Sequence, residues 1–306
     1  MNTLPVSCIS LIGAVRRHPY GVTPKLAQGS TSSNDCPGAS LVKKQRCTKQ
    51  HIQVPGLLAG STIRIHKTSR KDAEGMRPRE AEYDRYIAMV QFGVKVVGWD
   101  QTRIVADGPF LMADPGITFV LLRAHEDLAV LGRALGEDVT EIESWAAALR
   151  NALPLIWNPE LGAYDAKDLR TRLFAGVLGS GAFLAYLAGA SNPELDAQLI
   201  RVWDAVRYGI ASADPEAAIF DPRRYWRGPT WPVIDALMAI GLRDSGRHDL
   251  EARLRAETAE LIEKHGFFEY FDPTDATPCG GDNFTWTAAI WLTWAGRDLD
   301  QAKGAA

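Results

Sequence analysis

GITFVLLRAHEDLAVLGRAL, residues 116–135, decides the fold class. Its apolar residues recur at spacings of three and four, the period of an amphipathic helix rather than a strand. Gly136 follows at once, where a helix-ending glycine is expected. Asp114, ahead of Pro115 and Gly116, reads as the cap at the other end. TEIESWAAALRNAL then starts at Thr140, and Thr140 and Glu143 have capping-box spacing. A link this short turns two helices back into an antiparallel hairpin.

Outward from that hairpin the helical pattern repeats. It is present in EAEYDRYIAMVQFGVKV (80–96), NPELDAQLIRVWDAVRYGI (192–210), WPVIDALMAIGLRDSG (231–246), HDLEARLRAETAELIEKHG (248–266) and TWTAAIWLTWAG (285–296). RLFAGVLGSGAFLAYLAGA (172–190) is apolar nearly all round, which predicts a buried helix whose small residues allow close packing. The sum is about eight helices and no convincing strand. Links near Leu135, Ala190 and Gly246 are short, whereas those near Leu153, Ile210 and His265 are long and rich in rings, Gly and Pro. Stacked hairpins with that alternation send every long loop to one face, as in a helical toroid. No fixed repeat of a solenoid is present. The fold class is therefore all-α, a toroid-like barrel of helical hairpins with too few helices to close.

Composition sets the wider limits. The chain has 306 residues, 46% apolar and 23% charged, which is ordinary globular material. No apolar run is long enough to span a membrane, and no signal sequence is evident. Cys8, Cys36, Cys47 and Cys279 show no metal-ligand spacing, which points to a reducing, cytoplasmic setting. The net charge of -3 hides an asymmetry. Residues 1–72 hold eleven Lys/Arg against two Asp/Glu, and all nine tryptophans lie at Trp99 or later. The expected organisation is an atypical basic leader over 1–74, an incomplete helical domain over 75–299 and a tail over 300–306. The leader reads as a transit-like or nucleic-acid-touching arm, as a poorly ordered extension, or as a stretch foreign to the domain through truncation or a shifted frame.

The long loops carry the candidate chemistry: IWNPELGAYD (156–165), FDPRRYWRGPTWP (220–232) and GFFEYFDPTDATPCGGDNFTW (266–286). Rings interleaved with Arg, Asp and Asn suit a carbohydrate site, where sugar faces pack on aromatics and polar groups bond hydroxyls. The alternative is that the rings plug the end of the barrel. Glu269 sits between four rings in FFEYF, where desolvation raises a carboxyl's pKa unless a cation compensates. Asp221, Asp272 and Asp275 lie in turn-like contexts. His125 falls mid-helix and His265 at a helix C-terminus. No Gly-x-Ser-x-Gly elbow is present, and GVLGSG (176–181) lacks the Gly-Lys-Ser/Thr of a phosphate loop.

YWRGPTWP, an amphipathic helical pair and HGFFEYFDPTDATPCGGDNFTWTAA, in that order, resemble glycoside hydrolase family 63. RPREAEYDRY (77–86) and PFLMADPGITFVLLRAHEDLAVLGRALG (109–136) resemble it too, and the likeness covers about residues 77–297. The bacterial members acting on mannosylglycerate and glucosylglycerate are the most similar group. The resemblance implies an (α/α)6 toroid and inverting hydrolysis of an α-glycosidic bond. It makes Glu269 the catalytic base and gives Tyr225, Trp226 and Trp231 to the sugar-binding wall. It leaves Arg227 either on substrate or in a structural salt bridge. The implied partner is a small sugar-containing substrate, with no cofactor, metal, nucleic acid or membrane.

One element of the family pattern is missing. The general acid, an aspartate in a Gly-x-Asp-Asn-Ser-Pro type motif, belongs upstream of Arg77, and no such motif occurs in the chain. Asp35 has the right rough position but different neighbours, and Asp100 follows the EYDRY segment, so neither takes the role. An incomplete toroid would also expose apolar helix faces. The alternatives are a trehalase- or debranching-like glycosidase on a similar toroid, or a non-catalytic carbohydrate-binding remnant.

Overall fold

The computed structural model describes residues 75–78 and 80–296. The helices are α1 (Glu80–Gln91), α2 (Gln101–Asp107), α3 (Pro115–Ala134), α4 (Thr140–Ala152), α5 (Ser180–Phe183), α6 (Pro193–Asp204), α7 (Pro232–Asp244), α8 (His248–His265) and α9 (Thr285–Ile290). α1 and α9 each run on into a π-helical turn, Phe92–Val96 and Trp291–Ala295. The strands are pairs of residues in antiparallel ladders: β1 (Met112–Ala113) with β4 (Lys167–Asp168), β2 (Trp157–Asn158) with β3 (Ala163–Tyr164), and β5 (Tyr270–Phe271) with β6 (Pro278–Cys279). These three short ladders escaped the all-helical reading because two residues carry no period.

α3 packs on α4 and α7 on α8, as the short links require. Asp114 caps α3 by accepting from the Ile117 amide at 2.8 Å, and Gly136 takes φ +76° just beyond its end. The capping box at Thr140 does not form. Asp138 takes the role, its Oδ1 accepting from the Thr140 amide at 2.9 Å and hydroxyl at 2.6 Å. Glu143 pairs instead with Arg133 across the hairpin. Asp100 is the N-cap of α2, accepting from the Arg103 amide at 3.0 Å.

Residues 172–190 are not one helix. α5 is a single turn, and from Ala185 to Gly189 the amides bond three residues back in a tight spiral. Glycine is the reason. Gly176 and Gly189 have φ +71° and +59°, outside the helical region. A Cβ on Gly181 would lie 3.2 Å from the Gly116 amide, so α3 and α5 touch backbone to backbone. Burial came out as the apolar composition implied: Leu178, Phe183, Leu184 and Tyr186 are all buried.

The main core joins Phe119 and Leu122 of α3, Leu149 of α4, Leu195, Leu199 and Trp203 of α6, Met238 and Leu242 of α7 and Leu254 of α8. Burying each such side chain contributes about 1.5–3 kcal/mol. On the outer side of α3, Ile117, Val120, Leu128, Leu131 and Leu135 are exposed, Leu135 by 69%.

Candidate sugar site

Two of the three long loops meet. The first turns away: Trp157 and Tyr164 pack on one another at 5.0 Å, and Tyr164 packs on Phe119 at 4.8 Å, in the main core. Its rings are therefore the core filling that composition could not distinguish from a binding surface.

The second loop closes on itself before it presents its rings. The Asp221 amide donates to the Arg227 carbonyl at 2.9 Å and Arg224 Nε to Asp221 Oδ2 at 2.9 Å. Gly228 lies so close to this turn that a Cβ would sit 2.4 Å from the Asp221 carbonyl oxygen. Tyr225 is held at φ +39°, a left-handed conformation rare for a ring-bearing residue. Trp226 and Trp231 stack at 4.0 Å with 3° between their planes, and Tyr270 continues the stack behind Trp231 at 4.6 Å. Trp231 is 2% exposed and Trp226 44%, so Trp226 offers the open face and Trp231 backs it. Tyr225 lies edge-on to both indoles. Arg227 donates Nε to the Ile219 carbonyl at 3.1 Å, a bond within the loop.

The third loop carries Glu269 immediately before β5. Its amide donates to the Gly281 carbonyl at 2.9 Å, and Oε2 accepts from the Gly281 amide at 3.1 Å. Gly280 turns at φ +74°, and a Cβ there would lie 2.5 Å from Glu269 Oε2. The turn of the β5–β6 hairpin is made by Asp272 and Asp275. Asp272 Oδ1 accepts from the Thr274 amide at 2.9 Å and Asp275 Oδ1 from the Thr277 amide at 2.9 Å, the turn chemistry their contexts implied. Arg223 of the second loop then clamps both, at 2.9 Å and 2.7 Å.

Glu269 is 8% exposed, and the cation its burial calls for is Arg77. The guanidinium approaches Oε2 at 2.5 Å and Oε1 at 3.3 Å, a two-pronged pairing, and lies 5.1 Å over the Tyr225 ring. Burial opposes the Arg77 charge, but the hydrogen bonds and charge of Glu269 outweigh it and hold its pKa above the usual value. The backbone beside it is fastened twice more. The Met76 carbonyl accepts from the Tyr225 amide at 3.0 Å and the Tyr270 hydroxyl at 2.9 Å, and the Arg77 carbonyl from Arg224 at 3.1 Å. Burial raises the Tyr270 phenol well above its ordinary pKa, which keeps it a neutral donor.

The structure thus brings Tyr225, Trp226, Trp231 and Glu269 together. Arg77, the group that joins the wall to the carboxylate, is a site residue that the sequence does not single out, because its partner lies 192 positions away. Asp35 lies outside the described residues. His125 is buried in α3 against Trp145, burial lowers its pKa, and His265 ends α8. Among the described residues, no group of three or more His, Cys, Asp or Glu could hold a metal ion.

Helical hairpins whose loops bring an aromatic stack close to a buried, cation-paired carboxylate define a protein of the helical-toroid class. Residues 32–287 match the family described as the mannosylglycerate hydrolase MGH1-like glycoside hydrolase domain, and the chain belongs to that family. The matched span reaches into the basic stretch before residue 75. Mannosylglycerate hydrolase of Thermus thermophilus is 37% identical over 222 residues, 71% of this chain and 53% of that protein. Glucosylglycerate hydrolase of Mycolicibacterium hassiacum is 28% identical over 232 residues, 72% of this chain and 52% of that protein. The crystal structure of a GH63 mannosylglycerate hydrolase from Thermus thermophilus in complex with Tris matches at TM-score 0.68 and 36% identity, covering 71% of this chain and 54% of that one. Its glucose complex matches at TM-score 0.67. The likeness gives the (α/α)6 toroid class, and the chain spans about half the length of these relatives.

Proposed function

We propose that the chain carries the wall and base of an inverting α-glycosidase site for a small glucosyl or mannosyl compound, such as glucosylglycerate or mannosylglycerate. Glu269 takes a proton from a water molecule, and the resulting oxygen attacks the anomeric carbon as the glycosidic C–O bond breaks on the opposite face. A carboxylic acid about 6.5–9.5 Å from the base protonates the leaving oxygen. The Trp226 face holds the sugar by stacking. Arg77 and the Gly281 amide aim the carboxylate. The observation that carries this reading is Glu269, fixed by Arg77, beside the Trp226–Trp231–Tyr270 stack. The substrate class rests on the names of the relatives and on the glucose and D-glycerate complexes of the Thermus enzyme.

The acid is the weak part of the site. Without its aspartate motif, turnover should fall by about 10²- to 10⁴-fold. The reading needs no cofactor and keeps the cytoplasmic location, and no helix among the described residues is long and apolar enough to cross a membrane. The test is hydrolysis of glucosylglycerate and mannosylglycerate by the chain and by Glu269→Gln. Slow release of glucose or mannose, abolished in the variant, is the expected result. The second reading, a non-catalytic sugar binder, is favoured by the missing acid motif. It predicts saturable glucose binding without turnover. Neither binding nor turnover would sink both.

A further inference from the structure

Beneath the wall and base lie two buried carboxylates that the hydrolysis does not use. Asp235 of α7 is wholly buried. It accepts from the Ile210 amide at 3.2 Å, the Thr230 hydroxyl at 2.9 Å and the Thr258 hydroxyl at 3.4 Å. Glu257 of α8 accepts on Oε2 from the Gly209 amide at 2.8 Å and Trp203 Nε1 at 2.7 Å, and on Oε1 from Arg253 at 2.8 Å. Two consecutive amides, Gly209 and Ile210, therefore end on carboxylates from two different helices. The fit leaves no room: Gly209 has φ +59°, and a Cβ would lie 2.3 Å from Thr230 Oγ1 and 2.6 Å from Asp235 Oδ2.

The segment so held borders both halves of the site. The Arg207 and Tyr208 amides donate to the Pro273 carbonyl at 2.9 Å, in the hairpin turn behind Glu269. The Ser212 amide reaches the Pro229 carbonyl at 3.0 Å, and Ser212 Oγ accepts from the Gly228 amide at 3.0 Å. Thr230 and Phe271 exchange backbone bonds at 2.9 Å and 3.0 Å, tying the wall loop directly to β5. That pair stands on Asp235 through the Thr230 hydroxyl. A fully satisfied buried polar network of this kind specifies one arrangement, where apolar packing would tolerate several.

We propose that Asp235 and Glu257 are positioning residues of the sugar site: acting through Ile210, Gly209 and Thr230, they set the aromatic wall at a fixed distance from Glu269. The proposal rests on the sugar-site reading of the wall and base. Burial pushes the Asp235 carboxyl up to about 7, so near neutrality much of it is protonated and an amide is a fair stand-in.

The test compares the full chain with Asp235→Ala, Asp235→Asn and Leu242→Ala. Leu242 lies buried in the same helix and outside this network, so its truncation lowers stability without touching the clamp. Near-ultraviolet circular dichroism reads the Trp226–Trp231 stack, and tryptophan fluorescence reads glucose binding. Asp235→Ala is expected to lose the stacked-indole signal and to bind glucose at least about tenfold more weakly, since a misplacement of about 1 Å can cost on the order of 10²-fold. Asp235→Asn restores both, and Leu242→Ala keeps both despite its lower melting temperature. If the alanine variant does not fold, Thr230→Val, which removes only the hydroxyl link, replaces it with the same expectation. Retention of signal and affinity in the clamp variants, or equal loss in Leu242→Ala, overturns the proposal. If the unaltered chain binds no glucose, the sugar-site reading fails, and the dichroism arm still decides the positioning role.

Discussion

Gly280→Ala should disable the site while leaving the core folded. Two costs act at this position and can be separated. The first is backbone: φ is +74°, and a left-handed residue with a Cβ costs about 1–2 kcal/mol. The second is steric. The new Cβ would sit 2.5 Å from Glu269 Oε2, 2.7 Å from Tyr270 Cε1 and 2.8 Å from Glu269 Cβ, so Glu269 must move. Moving it off its rotamer costs about 0.5–1.5 kcal/mol. Loosening the Arg77 pairing costs about 1.5–3 kcal/mol more. The total is about 3–6.5 kcal/mol. Gly136→Ala is the matched control, because Gly136 has φ +76° with nothing within 4 Å of its Cβ position. It should lose about 1–2 kcal/mol, at about 2–4 °C in melting temperature per kcal/mol. Thermal denaturation and glucose titration are the assays. Gly136→Ala should bind glucose as the unaltered chain does, whereas Gly280→Ala should bind far more weakly and melt lower than the control. Equal melting temperatures and equal affinities for the two variants would refute the reasoning.

The Arg77–Glu269 pair should show a coupling of about 1.5–3 kcal/mol in a double-mutant cycle of Arg77→Met and Glu269→Gln, read by denaturant unfolding. A value below about 0.5 kcal/mol, the size of an exposed pair, would mean the pairing is not formed in solution. The pH dependence of stability should carry the mark of Asp235. Its folded pKa, raised by burial to about 7, lies above the unfolded value near 4, so its contribution is whole below about pH 4. That contribution is lost as the pH climbs toward 7, while Ile210, Thr230 and Thr258 still donate to the group and Glu257 repels its charge. Asp235→Asn should therefore flatten the fall in stability over that window. Parallel curves for the two proteins would show that Asp235 stays ionised throughout.

Much of the helical frame was legible because α3, α6, α7 and α8 each bury one face at the helical period, with Asp114 as a visible cap. Residues 172–190 misled because periodicity counts apolar side chains, whereas Gly176, Gly181 and Gly189 set the backbone there. The capping box at Thr140 failed because Asp138, two residues earlier, competes for the same amide. The ring stack at Tyr225–Trp231 and the buried Glu269 were legible as candidates since each sits in one contiguous, ring-rich loop. Composition gave no direction to those rings, however, so Trp157 and Tyr164 looked like site residues and proved to be core. Arg77 and Glu257 take their meaning from partners 192 and 48 positions away, a distance at which no local pattern survives.

The fastening at Met76 and Arg77 means that folding and binding part company at a single junction. The main core draws nothing from those two residues, yet the Tyr225 amide, the Tyr270 hydroxyl, Arg224 and Glu269 all converge on them. A protease cut just after residue 79 would leave the helical frame and the Thr230–Phe271 tie standing while releasing the cation that holds the Glu269 carboxylate. Susceptibility to such a cut, and protection from it by a bound sugar, would report occupancy of the site without any need for turnover.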